Sequence, residues 1–153
     1  MSERWLGVTV SGEKLIIVDA EVPATGPLTI VSDQTIALPN GDRSKAYGTI
    51  YQRLVDYATD NSIKKVVIKE SALSLGGTKK GHLLSAELRG VAMCAFGSVC
   101  NTKTMAKARV SKTFGDRKTD EYLADDSFWQ AETNGKPLRI GSREAVIYML
   151  AAR

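Results

Sequence analysis

Two apolar runs joined by a tight turn open the chain and restrict the kind of sheet that it can form. The runs, residues 5–10 and 14–21, are rich in β-branched residues, and the turn between them, residues 11–13, contains a glycine. This spacing predicts a β-hairpin, and therefore two antiparallel strands that lie side by side. Residues 28–38, LTIVSDQTIAL, predict a third strand with an irregularity near residues 32–33. The chain is thus expected to start with a three-stranded antiparallel unit.

The middle of the chain alternates between helical and strand patterns. Apolar residues at a spacing of three and four predict a helix that ends by residues 60–61. Its apolar stripe consists of Tyr47, Ile50, Tyr51, Leu54 and Ala58. The run KVVIK, residues 65–69, predicts a buried strand, and its position after a helix favours a parallel neighbour. A second helix is predicted at about residues 83–96, with Cys94 as a buried thiol, and a fifth strand at residues 98–102.

The last third of the chain is predicted to be mostly helical. A short basic helix follows the fifth strand, the acidic segment 120–132 is helical, and a final helix starts at Ser142. The sequence shows no internal repeat, low-complexity tract or linker. We therefore expect a single α/β domain over residues 1–153, in which helices flank a mixed sheet.

Composition excludes several classes of protein. Apolar residues make up 43% of the chain and charged residues 25%, which is typical of a globular domain. No stretch reaches the roughly 18 continuous apolar residues of a membrane span, and the start lacks the pattern of a signal peptide. Two cysteines, Cys94 and Cys100, fit neither a disulfide framework nor a zinc site. The expected location is the cytoplasm, with no membrane partner.

The order of elements resembles the ribonuclease H-like fold, and several motifs resemble more specifically the RuvC-type Holliday junction resolvases. LGVTVSG is similar to the glycine-containing first strand of that group, and VVIKES is similar to its fourth strand, which ends in a glutamate. SAELRGVAMCAFG resembles the helix that follows, and SREAVIYMLAA resembles the final helix. The pairing of GVTVSGEKLIIV with VVIKE also resembles an uncharacterised family of small bacterial proteins near that superfamily. The resemblance implies a mixed five-stranded sheet, with three antiparallel strands followed by parallel strands.

The resemblance also implies a cluster of metal-binding carboxylates. Two Mg²⁺ or Mn²⁺ ions, about 3.5–4 Å apart, would activate water and stabilise the leaving oxygen of a phosphodiester. Carried over residue by residue, the ligand positions fall on Thr9, Glu70 and Glu144, with Gly141 opposite a fourth acid. Glu70 and Glu144 are therefore the predicted catalytic and metal-binding residues. Thr9 is neutral, and Asp19 on the neighbouring strand is a candidate replacement ligand.

Each of these positions also has an ordinary structural explanation. Threonine is favoured in strands, so Thr9 needs no function. An acid in the first turn of a helix, as predicted for Glu144, complements the helix dipole. Glu70 can be a solvated residue at a strand end. These alternatives stay open from the sequence.

Basic residues point to an anionic partner. Residues 103–118 carry six basic residues and one acid, whereas residues 119–132 carry five acids and no lysine or arginine. A loop of glycines and lysines, residues 76–82, is either a phosphate-binding loop or a solvated turn. The predicted nucleic-acid-binding residues are Lys79, Lys80, Lys107, Arg109, Lys112 and Lys118.

These features predict a nucleic-acid-related protein with a degenerate two-metal site, which binds structured DNA or RNA rather than cleaving it. One alternative is an active Mg²⁺- or Mn²⁺-dependent nuclease with a substituted acidic ligand. A second is a non-enzymatic interaction module, which uses the acidic segment 120–132 or the open edge of the sheet for a protein partner or a homodimer.

Overall fold

Within the residues that the structure describes, 2–71 and 79–153 of this computed structural model, five strands form one mixed sheet. They are β1 (Glu3–Ser11), β2 (Lys14–Val22), β3 (Thr29–Ala37), β4 (Lys65–Lys69) and β5 (Asn101–Met105). Their spatial order is β3-β2-β1-β4-β5. The pairs β1–β2 and β2–β3 are antiparallel, whereas β1–β4 and β4–β5 are parallel.

Six helices flank this sheet in the same described residues. They are α1 (Arg43–Asp60), α2 (Lys80–Gly97), α3 (Lys107–Phe114), α4 (Thr119–Leu123), α5 (Asp126–Glu132) and α6 (Ile140–Ala151). The Asp42 side chain accepts the N–H of Lys45 and so caps the start of α1. None of the described helices combines the length and the apolar character that crossing a membrane requires.

The sheet separates two hydrophobic cores. On one face, α1 and α2 pack over Leu6, Val8 and Val10 of β1. On the other face, α6 packs over Trp5, together with side chains from α3, α4 and α5. Because side chains alternate along a strand, the positions of Gly7 and Thr9 face α6.

The final helix lies directly against β1 and β2. A methyl group at Gly7 would overlap the backbone carbonyl of Ala145, so no side chain fits between strand and helix there. A methyl group at Gly141 would come within 2.8 Å of Ile16 Cδ1. Gly7 therefore permits a closer approach of α6 than any other residue would allow, whereas at Gly141 only the end of the Ile16 side chain would have to shift.

The direction of α6 is opposite to that of β4. Near the end of the helix, Lys65 Nζ donates to the carbonyl oxygen of Ala152 at 2.7 Å. Near its start, Lys69 contacts Glu144. The beginning of α6 therefore lies over the end of β4.

The predicted fold class is confirmed, but several boundaries differ. The second helix begins at Lys80 rather than at about residue 83, and the acidic segment 120–132 is divided between α4 and α5. The fifth strand begins at Asn101 because the N–H groups of residues 98–100 still donate to carbonyl groups of α2. The last helix begins at Ile140 rather than at Ser142. The Ser142 hydroxyl does not cap the helix but donates to Asp33 Oδ1 of β3 at 2.7 Å.

Two further sequence predictions concern β3 and α2. The irregularity expected near residues 32–33 is present, because the β2–β3 register shifts between Asp19 and Ala20. The predicted burial of Cys94 is wrong, since its side chain is exposed. The apolar residues of α2 do not lie on one side of the helix only. Ala92 and Ala95 face the core, whereas Met93 is exposed. Cys94 therefore falls on the outward side.

Replacing Gly7 by alanine tests the close approach of α6. We expect the free energy of unfolding to fall by about 1–3 kcal/mol, because the added methyl group forces α6 away from β1. Urea unfolding followed by circular dichroism measures the change. Gly90→Ala is the matched control, because a methyl group there meets no atom within 4 Å. That control should gain roughly 0.5–1 kcal/mol, since alanine favours a helix over glycine. Unchanged stability of Gly7→Ala would contradict this packing.

Candidate functional site

Three helices begin near the edge at which three parallel strands end. We call this part of the molecule, residues 9–11, 69–71 and 105–107, the carboxyl edge. α3 starts directly after β5. Ser85 near the start of α2 accepts the N–H of Gly12 at 2.7 Å, and the start of α6 lies over the end of β4. Helix N-termini carry a partial positive charge, so the carboxyl edge favours anions.

A lysine–glutamate pair lies in the middle of the carboxyl edge. Lys69, the last residue of β4, donates from Nζ to Oε1 of Glu144 at 2.6 Å. The two side chains are partly buried, with exposed fractions of 27% and 29%. Because α6 starts at Ile140, Glu144 lies in its second turn, where the helix dipole explains little of its presence. No sequence motif singled out Lys69.

Thr9 lies on the same face of the sheet as this pair. It is 7% exposed, and the register of β1 and β4, continued by one residue, places it beside Lys69. Its neutral hydroxyl cannot bridge two divalent ions as a carboxylate does. Gly141 takes the position of the fourth acid of the resemblance, and a side chain there would first displace the end of the Ile16 side chain.

Asp19 lies on the opposite face of the sheet, against α1. Its fully buried carboxylate forms an ion pair with Arg4 and accepts the hydroxyl of Tyr57 at 2.6 Å. Burial, and the hydrogen bond to Asp19, raise the pKa of Tyr57. The sheet therefore separates Asp19 from Glu144, and the structure does not bring this carboxylate to the predicted metal site.

Glu70 lies at the carboxyl edge directly after Lys69. Its N–H donates to the carbonyl oxygen of Met105 at 2.9 Å, which continues the pairing of β4 with β5. Its side chain is exposed and forms no ion pair within the described residues. The structure thus brings Glu70 and Glu144 to the same edge, with the Lys69 ammonium bound to Glu144.

The carboxyl edge does not offer the ligands that a pair of divalent ions needs. No three His, Cys, Asp or Glu side chains converge in residues 2–71 and 79–153, and residues 72–78 contain none of these types. The Lys69 ammonium also opposes a second cation at Glu144. Two unit charges about 4 Å apart near a protein surface repel by roughly 4 kcal/mol, and a divalent ion doubles that figure. The residues present do not fit the two-ion site.

A buried arginine holds the ends of β1 and β4 from the other face. Arg89 of α2 is 8% exposed. Its guanidinium donates to the carbonyl oxygens of Lys69 at 2.9 Å and Val10 at 3.3 Å, and also to the hydroxyl of Ser71. Burial lowers the pKa of Arg89. These bonds fix the backbone from which the Lys69 side chain extends.

A buried phenol lies one helical turn after Glu144. The Tyr148 hydroxyl has no hydrogen-bond partner among the described residues. Burial, together with the negative charges of Glu144 and Asp120, raises the pKa of Tyr148. The phenol therefore stays protonated and adds no negative charge to this side of the sheet.

Most of the predicted nucleic-acid-binding residues are exposed cations. Five of them form no ion pair within the described residues: Lys79, Lys80, Arg109, Lys112 and Lys118. The sixth, Lys107, pairs with Asp120 at 2.8 Å. Lys79 and Lys80 lie at the start of α2, and Arg109 and Lys112 lie on α3. Residues 76–78 of the glycine–lysine loop lie outside the described residues, whereas its residues 80–82 belong to the first turn of α2.

The acidic segment 120–132 is engaged in internal contacts. Its ion pairs are Asp120–Lys107, Asp125–Arg117 and Asp126–Arg143. Its residues Tyr122 and Phe128 pack against Phe114, and Trp129 packs against Phe128. These contacts engage three of the five acids and all three aromatic residues of the segment. The use of this segment as a partner surface stays a prediction.

Known structures share this fold. Thermus thermophilus RuvC has a TM-score of 0.77 and 13% identity, over 97% of this chain and 92% of that chain. T. thermophilus RuvC in complex with a Holliday junction substrate has a TM-score of 0.72 and 10% identity, over 97% and 91%. The yeast mitochondrial Holliday junction resolvase Ydc2 has a TM-score of 0.63 and 8% identity, over 97% and 78%. No protein-family model and no curated protein matches the sequence. The predicted resemblance to the RuvC fold is confirmed.

The substitution Asp19→Asn tests the assignment of this carboxylate to the buried network. We expect the free energy of unfolding to fall by about 2–3 kcal/mol, because Arg4 loses its counter-charge. Thermal and urea unfolding measure the change. Asp60→Asn is the control, because Asp60 is exposed at the end of α1 and should give a change within about 0.5 kcal/mol. An Asp19→Asn protein as stable as the wild type would contradict the assignment.

Proposed function

We propose that the protein binds structured nucleic acid at the carboxyl edge and does not cleave it. The observation that carries this proposal is the set of exposed cations on the helices that begin there. They are Lys79, Lys80, Arg109 and Lys112. Lysine and arginine side chains spaced over such a surface can each contact a backbone phosphate. The N-termini of α2, α3 and α6 add partial positive charge in the same region.

The fold favours branched DNA as the ligand to test. One T. thermophilus RuvC structure with this fold is a complex with a Holliday junction substrate. We extend that ligand class to the present chain as part of the proposal. A four-way junction presents phosphates from several strands, so it can contact cations on both α2 and α3.

The expectation that cleavage is absent rests on the shortage of free metal-binding side chains at the carboxyl edge. Thr9 is neutral and Glu144 is paired with Lys69. Asp33, a carboxylate near the start of α6, accepts the Ser142 hydroxyl and pairs with Arg139. Hydrolysis with two metal ions needs several carboxylates that are free to bind them.

The second candidate function is a protein-interaction module. Its support from the acidic segment is weak, because three of the acids pair with basic residues of the same chain. Exposed apolar side chains on α2, Leu83 and Met93, give it more support. This function predicts no nucleic-acid binding at low salt.

Charge reversal on α3 tests the nucleic-acid interface. The double substitution Arg109→Glu and Lys112→Glu should weaken binding to a labelled four-way junction by roughly tenfold or more. The slope of log affinity against log salt should also fall by about two, one for each lost phosphate contact. Fluorescence anisotropy over a salt series in EDTA measures both quantities.

The matched control reverses two exposed charges away from the carboxyl edge. Arg53 lies in the second half of α1 and Lys64 lies just before β4. Arg53→Glu with Lys64→Glu changes the net charge by the same amount and should leave the salt slope close to that of the wild type. Equal losses in the two double variants would indicate a general charge effect and contradict this interface. Failure of the wild type to bind at low salt would refute the proposed function and favour the interaction module.

A further inference from the structure

We propose that the ammonium group of Lys69 is a built-in cation of the carboxyl edge. It takes the place of a divalent ion beside Glu144, and its remaining N–H groups donate to a phosphate oxygen of the bound nucleic acid. The first statement concerns the protein alone. The second rests on the function proposed above.

The geometry of β4 directs Lys69 towards α6. Val66 and Ile68 pack in the core under α1 and α2, whereas Val67 packs in the core under α6. Alternation along the strand therefore places Lys69 on the α6 face, where Nζ lies 2.6 Å from Glu144 Oε1. An ammonium group has three N–H donors, so two are left for other acceptors. With 27% of the side chain exposed, these donors can reach an external ligand.

Both partners of the pair are held in place by contacts of their own backbone. The carbonyl oxygen of Lys69 accepts a hydrogen bond from Arg89 Nε at 2.9 Å. On the other side, α6 is held against β1 by the close contact between Gly7 and Ala145. The positions of ammonium and carboxylate are thus fixed before any ligand binds, as in a prearranged electrostatic site.

The balance of charge at the carboxyl edge removes the need for a divalent ion. Three carboxylates would carry three negative charges and repel a phosphodiester until metal ions neutralised them. In this chain, Thr9 is neutral and Lys69 neutralises Glu144, so Glu70 is the one acid left among those three positions. The exposed cations on α2 and α3 outnumber it. A phosphate can therefore approach without a metal ion.

Direct measurement of Mn²⁺ binding tests the first statement without any nucleic acid. Electron paramagnetic resonance of free Mn²⁺, titrated with protein, should show no saturable site at the carboxyl edge of the wild type. The double substitution Thr9→Asp and Lys69→Met supplies a carboxylate and removes the ammonium. It should bind Mn²⁺ at least about tenfold more tightly than the wild type. Adding Glu144→Gln should abolish that gain.

The wild-type titration alone can overturn the first statement. Saturable Mn²⁺ binding that Glu144→Gln removes would mean that a metal ion displaces the Lys69 ammonium. Circular dichroism of each variant establishes that it is folded. Should the double variant fail to fold, Lys69→Met alone replaces it, and absence of any gain in Mn²⁺ binding over the wild type would also count against the inference.

Junction binding in EDTA tests the second statement. Lys69→Met should weaken binding of a four-way junction by roughly tenfold and lower the salt slope by about one. Lys69→Arg keeps the charge and the donors, so it should retain the slope of the wild type. Mg²⁺ at constant ionic strength should not strengthen binding by the wild type.

The outcomes of the two experiments separate this inference from the proposed function. Wild-type binding that is unchanged by Lys69→Met, or that Mg²⁺ strengthens, would overturn the role of Lys69 while leaving nucleic-acid binding intact. No wild-type binding to any nucleic acid would overturn the proposed function. The Mn²⁺ titration would still decide whether Lys69 takes the place of a metal ion.

Discussion

The close contact between α6 and β1 is the constraint on which the rest of the site depends. Because Gly7 has no side chain, the carbonyl of Ala145 lies against the strand, and the start of α6 reaches over the end of β4. This packing brings Glu144 Oε1 within 2.6 Å of Lys69 Nζ. From the other face, Arg89 fixes the backbone of Lys69. Packing on both faces of the sheet, rather than a loop, therefore sets the geometry of the carboxyl edge.

Several carboxylates of this protein are neutralised by ion pairs with lysine or arginine of the same chain, which lowers the negative charge near the carboxyl edge. Glu144 is paired with Lys69, and on the opposite face Asp19 is paired with Arg4. Three of the five acids in segment 120–132 are also paired with basic residues of the same chain. By contrast, four cations at the start of α2 and on α3 form no ion pair within the described residues: Lys79, Lys80, Arg109 and Lys112. An anionic ligand that approaches this surface meets helix N-termini and cations rather than a cluster of acids.

The sequence predicted the fold better than the site. Strands and helices follow from patterns among neighbouring residues, whereas the site depends on side chains that are far apart along the chain. The hairpin, the period of α1 and the apolar run of β4 are local patterns, and each was confirmed. The decisive side-chain pairs join residues far apart, such as Arg4 with Asp19 and Lys69 with Glu144, which are 15 and 75 residues apart. The face on which a strand residue lies follows from alternation, so the burial of Val67 could have indicated the direction of Lys69. The partner on α6 could not be found without the position of that helix.

Anomalous diffraction at the manganese absorption edge, from crystals soaked in Mn²⁺, is the measurement that tests the central claim most directly. We expect no manganese peak between Glu70 and Glu144, and we expect Lys69 Nζ to stay within hydrogen-bond distance of Glu144. A manganese ion bound by both carboxylates, with the Lys69 side chain turned away, would contradict a lysine-based site.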